Sequence, residues 1–115
     1  METWHRLSEI KRSTADTITA KAVLPLDSPW FSGHFPGEPI LPGVAQIALV
    51  AETLRRGLDR KLKITGLKRT RFKQIIVPGD TLAIEIDVQD KTAAGFVFRV
   101  LIRGEIACTG TITAA

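Results

Sequence analysis

The sequence predicts an α+β domain in which one curved antiparallel sheet wraps a single helix. Three observations carry this reading. A stretch with apolar residues at helical spacing, apolar nearly all round in its first two turns, occupies the middle of the chain. Segments that alternate apolar and polar with a period of two follow it. Turn signatures separate those segments, and more strand-like sequence precedes the helix. The 115 residues suit one compact domain over positions 1–115.

The elements follow in order. A short strand or helical turn is expected around Leu7 to Lys11, with "RSTAD" as the turn after it. "DTITAKAV", Asp16 to Val23, alternates loosely and is rich in β-branched residues, which predicts a strand. Residues 25 to 42 hold five of the six prolines, Pro25, Pro29, Pro36, Pro39 and Pro42. Each removes a donor and restricts its predecessor, so no regular element survives there. Pro42 suits the first turn of a helix. Val44, Ile47, Ala48, Ala51, Leu54 and Leu58 then recur at helical spacing, and Leu49 and Val50 widen the stripe. A helix of that kind is buried, and Gly57 is its expected terminator.

"KITGLKRTRF" predicts a strand leading to the "VPGD" turn, with Pro78 and Gly79 in the central positions. "TLAIEIDV" places Leu82, Ile84, Ile86 and Val88 on one face. After "DKTAAG", "FVFRVLIR" does the same with Phe96, Phe98, Val100 and Ile102, and "RGE" turns into "IACTGTIT". The first turns of the helix need cover on every side. One sheet covers one side, so a partner chain is expected to cover the rest.

Composition narrows the function classes. The hydrophobic fraction is 44% and the charged fraction 24%, ordinary for a soluble domain. No apolar run approaches the roughly 20 residues that span a bilayer, and "METWHRLSEIKR" has no signal-peptide core. A single cysteine, Cys108, makes a reducing, cytoplasmic setting the simplest expectation. Its alternation with Ile106 and Ile112 reads as a buried core thiol. The histidines His5 and His34, with Cys108, fit no metal-ligand spacing, and no phosphate loop or other cofactor motif is present. The net charge of +4 comes with a basic middle: Arg55, Arg56, Arg60, Lys61, Lys63, Lys68, Arg69, Arg71 and Lys73. It is either a solvated face or a surface for an acidic partner. Nucleic acid is the weakest option, since aromatic residues are only 6% and no zinc-finger or ribonucleoprotein motif occurs.

One stretch is chemically specific. "GHFPGEPILPGV", residues 33 to 44, places His34 in a proline- and glycine-rich loop before the helix. It resembles the signature of the 3-hydroxyacyl-[acyl-carrier-protein] dehydratases, a hot-dog fold family. "ITGLKRTRFKQIIVPGDTLAIEIDV" is similar to the same family between its central helix and long strands, and the resemblance spans roughly residues 17 to 113. "PWFSGHFP" with "LPGVAQ" is especially like a divergent branch associated with specialised acyl chains. The resemblance implies a sheet wrapped around a central helix and homodimers whose sheets run on into each other, in some members three dimers together. It implies a site at the dimer interface, built from a histidine of one chain and a carboxylate on the partner's helix. The implied substrate is an acyl chain on the phosphopantetheine arm of acyl-carrier protein, or a coenzyme A thioester.

Dehydration of a 3-hydroxyacyl thioester removes a proton from C2 and expels hydroxide from C3. His34 suits the base, because imidazole titrates near neutrality. The free N–H groups at the helix start suit the thioester oxygen, and Gly43 admits close approach. Val44, Ile47, Phe35 and Phe72 are expected to wall the acyl tunnel, and Gln46 to orient a water or the substrate hydroxyl. The acid departs from the pattern. Where the family carries aspartate or glutamate, four residues after the valine of "PGV", this chain has Ala48. Glu52 lies one turn on and is the candidate replacement. Its alternative is a position at the helix end that meets solvent, or an ion pair with Arg55 or Arg56. Two other functions stay open: an acyl-thioester hydrolase on the same scaffold, and a non-catalytic acyl-binding or partner subunit.

Overall fold

The computed structural model describes residues 5–13, 16–25, 43–59, 61–77, 79–88 and 95–114. The alternating and helical patterns become β1 (Arg6–Arg12), β2 (Thr17–Val23), α1 (Gly43–Leu58), β3 (Ile64–Phe72), β4 (Thr81–Asp87), β5 (Phe96–Ile102) and β6 (Glu105–Ala114). All strand pairs are antiparallel, in the order β1-β2-β4-β5-β6-β3. The strands therefore form one sheet, with β1 and β3 at its edges, and α1 packs against β1, β2, β4 and β5. The expected α+β wrap is the observed one, and β1 is a strand rather than a helical turn. The stretch from 26 to 42 and most of "DKTAAG" lie outside the described residues.

The long strands bury the residues their alternation predicts. Leu82, Ile84, Ile86 and Val88 all face inward, as do Phe98, Val100 and Ile102, with Phe96 half-buried. Ile18, Ala20 and Ala22 of β2 continue the layer, and Leu49, Val50 and Leu54 of α1 close it. Each large apolar side chain removed from water contributes about 1.5–3 kcal/mol, so this layer holds the fold.

Two expectations about faces are corrected. The first concerns α1. Its buried side is Ala45, Gln46, Leu49, Val50, Ala51, Thr53 and Leu54. Val44 is 71% exposed, and Ile47, Ala48 and Leu58 are only half-buried. Of the stripe picked out by spacing, Ala51 and Leu54 are buried, Ile47 and Leu58 pack partly buried against the core, and Val44 alone is exposed. A helix start that is apolar all round leaves its sequence unable to say which side the sheet takes. The second concerns β6. Ile106 is 36% exposed while Ala107 and Cys108 are both buried, because the register slips between Val100 and Leu101 of the facing strand. One extra residue in a strand turns everything beyond it to the other face.

Gly57 does not end the helix. α1 runs to Leu58, and Asp59 follows at φ 51°, its N–H donating to the Arg56 carbonyl at 3.2 Å. That is a left-handed C-terminal stop. Gly57 is needed for packing instead: a β-carbon there would fall 2.6 Å from Cγ2 of the fully buried Ile18. Beyond the helix, Arg55 Nε donates to the Leu62 carbonyl at 2.8 Å and fixes the approach to β3. The turn after β3 is held by Asp80. Its carboxylate accepts the Val77 N–H at 3.0 Å and Arg103 at 3.1 Å. Among the described residues, no helix is long and apolar enough to cross a membrane.

Candidate active site

The start of α1 meets the edge strand β3 in an open, mainly apolar groove of about 440 Å³, lined by Gly43, Val44, Ile47, Leu67, Thr70 and Phe72. The strand reaches this position through a β-bulge. Its register against β6 shifts between Lys68 and Arg71, and Arg69 sits at φ 54°. Without the bulge, Leu67 would share its face with Arg69 and Arg71. With it, Thr70 and Phe72 join Leu67 at the groove, and Lys68, Arg69 and Arg71 are all exposed.

Gly43 is the closest approach in the site. A β-carbon on it would lie 2.8 Å from Cζ of Phe72, whose ring is half exposed. The aromatic ring therefore stands directly over the first residue of the helix. The opening N–H groups of a helix have no intrahelical partners, and they carry the positive end of its dipole. No acidic side chain stands in the first turn of α1 to offset that charge. The groove is thus an apolar channel ending at a row of backbone donors, an arrangement suited to an acyl chain whose carbonyl oxygen gains negative charge.

The structure brings together only part of the expected site. Gly43 and Val44 line the groove, with Ile47 and Phe72 from the expected tunnel wall. His34 and Phe35 lie outside the described residues. Gln46 is 3% exposed and turned into the sheet-facing side of α1, and its Oε1 has no hydrogen-bond partner among the described residues. Ala48 is half-buried one turn beyond Val44 and offers no acid.

Glu52 stands on another flank. At 3.6 residues per turn it lies roughly 80° around the helix from Val44 and roughly 140° from Ile47, and it does not line the groove. Its Oε1 is 3.2 Å from His5 Nε2, and its Oε2 is 3.6 Å from Arg56. The carboxylate thus ties the chain before β1 to α1. Sequence reasoning named Arg56 as a possible partner and missed His5, which is 47 positions away.

Leu67 and Thr70 were also missed. The bulge that admits them leaves no signature in the alternation. Thr70 Oγ1 has no hydrogen-bond partner among the described residues. Cys108 is buried, and burial pushes its thiol up to about 11, so it carries no nucleophilic role at neutral pH.

Comparison with known proteins agrees with this geometry. The 3-hydroxyacyl-[acyl-carrier-protein] dehydratase FabZ of Rickettsia typhi is 34% identical over 85% of this chain and 74% of its own length. The bifunctional enzyme LpxC/FabZ of Chlorobaculum tepidum is 33% identical over 77% of the chain, which spans only 21% of that longer protein. Among solved structures, a chain of the dehydratase heterocomplex ApeI:P from Xenorhabdus doucetiae superposes with a TM-score of 0.84, at 26% identity and 96% coverage of both chains. A family model described as ApeI-like, ApeI dehydratase, matches residues 10–111. With the six-stranded wrap, the groove at the helix start and the "GHFP…LPGV" signature, this match places the chain in the ApeI-like family of hot-dog dehydratases.

Proposed function

We propose that the chain dehydrates 3-hydroxyacyl thioesters carried on acyl-carrier protein, yielding enoyl thioesters in acyl-chain biosynthesis, in the cytoplasm. The observation that carries this is the groove, which joins an apolar wall to the Gly43 end of α1, whose first N–H groups have no intrahelical partners. The acyl chain lies along Val44, Ile47, Leu67 and Phe72, with Phe35 as a further wall. The thioester oxygen accepts from the helix start. His34 removes the C2 proton, the electron pair forms the C2–C3 double bond, and the C3 oxygen leaves as water after taking up a proton. The basic middle of the chain suits an acidic carrier.

The proton for the leaving oxygen is the open part of the scheme. Ala48 cannot give it, and this chain's Glu52 pairs with His5 and Arg56 and does not line its own groove. We assign the proton to a carboxylate on the helix of a second chain seated against this one. Val44, 71% exposed at the helix start, supports such a pairing, as does the heterocomplex formed by the Xenorhabdus doucetiae dehydratase. The missing carboxylate also favours a second reading, a subunit that binds acyl groups without turning them over.

Product analysis tests the proposal. 3-Hydroxyacyl-carrier protein is incubated with the chain and its assembly partner, and the acyl group is weighed by mass spectrometry. An intact thioester lighter by one water supports dehydration. A free carrier thiol indicates a hydrolase, and an unchanged acyl group indicates a binding subunit.

A further inference from the structure

The groove holds one hydroxyl that the reaction, as drawn so far, leaves unused. Of the six residues lining it, Thr70 alone has a polar side chain. The residue is half-buried, its Oγ1 is buried, and that oxygen has no hydrogen-bond partner among the described residues. A buried hydroxyl left unpaired is destabilising, whereas a valine of the same shape carries no such penalty. Gln46 Oε1 is the other such atom among the described residues, but Gln46 faces the sheet and does not line the groove.

A β-bulge puts Thr70 at this place. Between the Lys68–Thr111 and Arg71–Thr109 pairs, two residues of β3, Arg69 and Thr70, face the single residue Gly110 of β6. Arg69 takes up the extra length at φ 54°, a left-handed conformation that residues with a side chain seldom adopt. Bulges of this kind re-aim a side chain beside a site. Gly110 supplies the room. A β-carbon on it would lie 2.9 Å from Thr70 Oγ1 and 2.8 Å from Cζ of the fully buried Phe98. The hydroxyl thus rests over bare backbone beside an aromatic ring. A turn about χ1 exchanges the hydroxyl and methyl of a threonine between staggered positions, which brings the hydroxyl to the groove side.

We infer that Thr70 is a specificity-determining residue: its hydroxyl hydrogen-bonds the C3 hydroxyl of the acyl chain and so separates 3-hydroxyacyl groups from saturated ones. The inference rests on the dehydratase reading for the substrate. With the thioester oxygen at the Gly43 end, the C3 oxygen is the next polar atom of the acyl chain. Thr70 is the one polar side chain along the wall that the chain follows. A saturated chain leaves the threonine unpaired, and a site built to bond a hydroxyl rejects the analogue that lacks it. The threonine holds the C3 oxygen in place and does not protonate it, since an alcohol is too weak an acid for that role.

Two non-reacting ligands provide the test: 3-hydroxyacyl-pantetheine and saturated acyl-pantetheine of equal chain length, each with an amide in place of the thioester. Their affinities for the chain, in its solution assembly, are read by titration calorimetry. Wild type should bind the hydroxylated ligand about fivefold or more tightly than the saturated one, the factor that one net hydrogen bond supplies. Thr70→Val should bind the two alike, and Thr70→Ser should keep the preference. Thr70→Val should melt no lower than wild type, since it removes an unpaired hydroxyl and keeps the shape.

Equal binding of the two ligands by wild type overturns the inference. So does a preference that survives in Thr70→Val, which would leave the hydroxyl holding only a water. A lower melting temperature in Thr70→Val, with affinity lost for both ligands, makes the hydroxyl structural and overturns it as well. A preference lost in Thr70→Val, while 3-hydroxyacyl-carrier protein gives no enoyl product, supports the role of Thr70 and removes the dehydratase reading.

Discussion

Replacing Glu52 by glutamine separates a structural carboxylate from a catalytic one. In the structure Glu52 is 38% exposed and shared between His5 at 3.2 Å and Arg56 at 3.6 Å. Half-exposed ion pairs of this kind contribute about 0.2–1 kcal/mol each, because water screens the charges and ordering the side chains costs entropy. Glu52→Gln keeps the shape and a hydrogen-bonding oxygen, so the expected cost is about 1 kcal/mol in all. For a domain of this size that lowers Tm by about 4 °C. The loss should shrink in 1 M salt, which already weakens the pairs in the wild-type chain. Loss of a general acid would look different. It slows turnover by about 10²- to 10⁴-fold, or roughly 3–5 kcal/mol of barrier, with little effect on melting. The assays are a thermal melt and the rate of enoyl thioester formation at saturating substrate. A rate within twofold of wild type, with the small melting shift, is the expected pair of results. A rate fall of a hundredfold or more in a normally folded variant would refute the reasoning and return the acid to Glu52.

Other outcomes follow from single contacts. Gly57→Ala should destabilise the fold by about 1–3 kcal/mol in chemical denaturation, since the new methyl would meet buried Ile18 at 2.6 Å. Gly43→Ala should leave melting nearly unchanged, because the Phe72 ring is half exposed and can move, yet slow turnover by about tenfold or more by displacing that ring into the groove. Adding Phe72→Ala should restore part of the rate. Cys108 should resist thiol reagents at pH 8 in the native state and react once unfolded. Its thiol is pushed from 9.0 up to about 11 by burial, so the folded state holds that proton more tightly. Stability should be unaffected by this group below pH 9 and fall as pH rises toward 11, which denaturation at stepped pH reads directly.

The strands of this fold were legible wherever one face alternates without interruption. Leu82, Ile84, Ile86 and Val88 are read from "TLAIEIDV" and are all buried. Legibility stops at the bulges. The extra residue near Ala107 turns Ile106 outward, and the one at Arg69 brings Thr70 and Phe72 to the side of Leu67. Neither leaves a mark in periodicity, since a bulge is a property of two paired strands and not of one. The helix was legible as a helix but not in its orientation. With apolar residues on every side of its first turns, only the sheet decides that Gln46 goes in and Val44 stays out. The helix start was legible because a local motif marks it: Gly43 and Val44 open α1 and line the groove. The fate of Glu52 depended on His5, a tertiary contact that no local pattern encodes.

Turnover of the His34→Ala variant tests the central claim most directly, that this chain brings the base to a groove whose acid comes from elsewhere. The measurement is the rate of enoyl thioester formation from 3-hydroxyacyl-carrier protein, with the variant paired with the same acid-bearing partner as wild type. The expected result is a fall of about 10³-fold or more, within the range general-base catalysis supplies, with melting and pairing unchanged. Full turnover by a folded, paired His34→Ala chain would contradict the account.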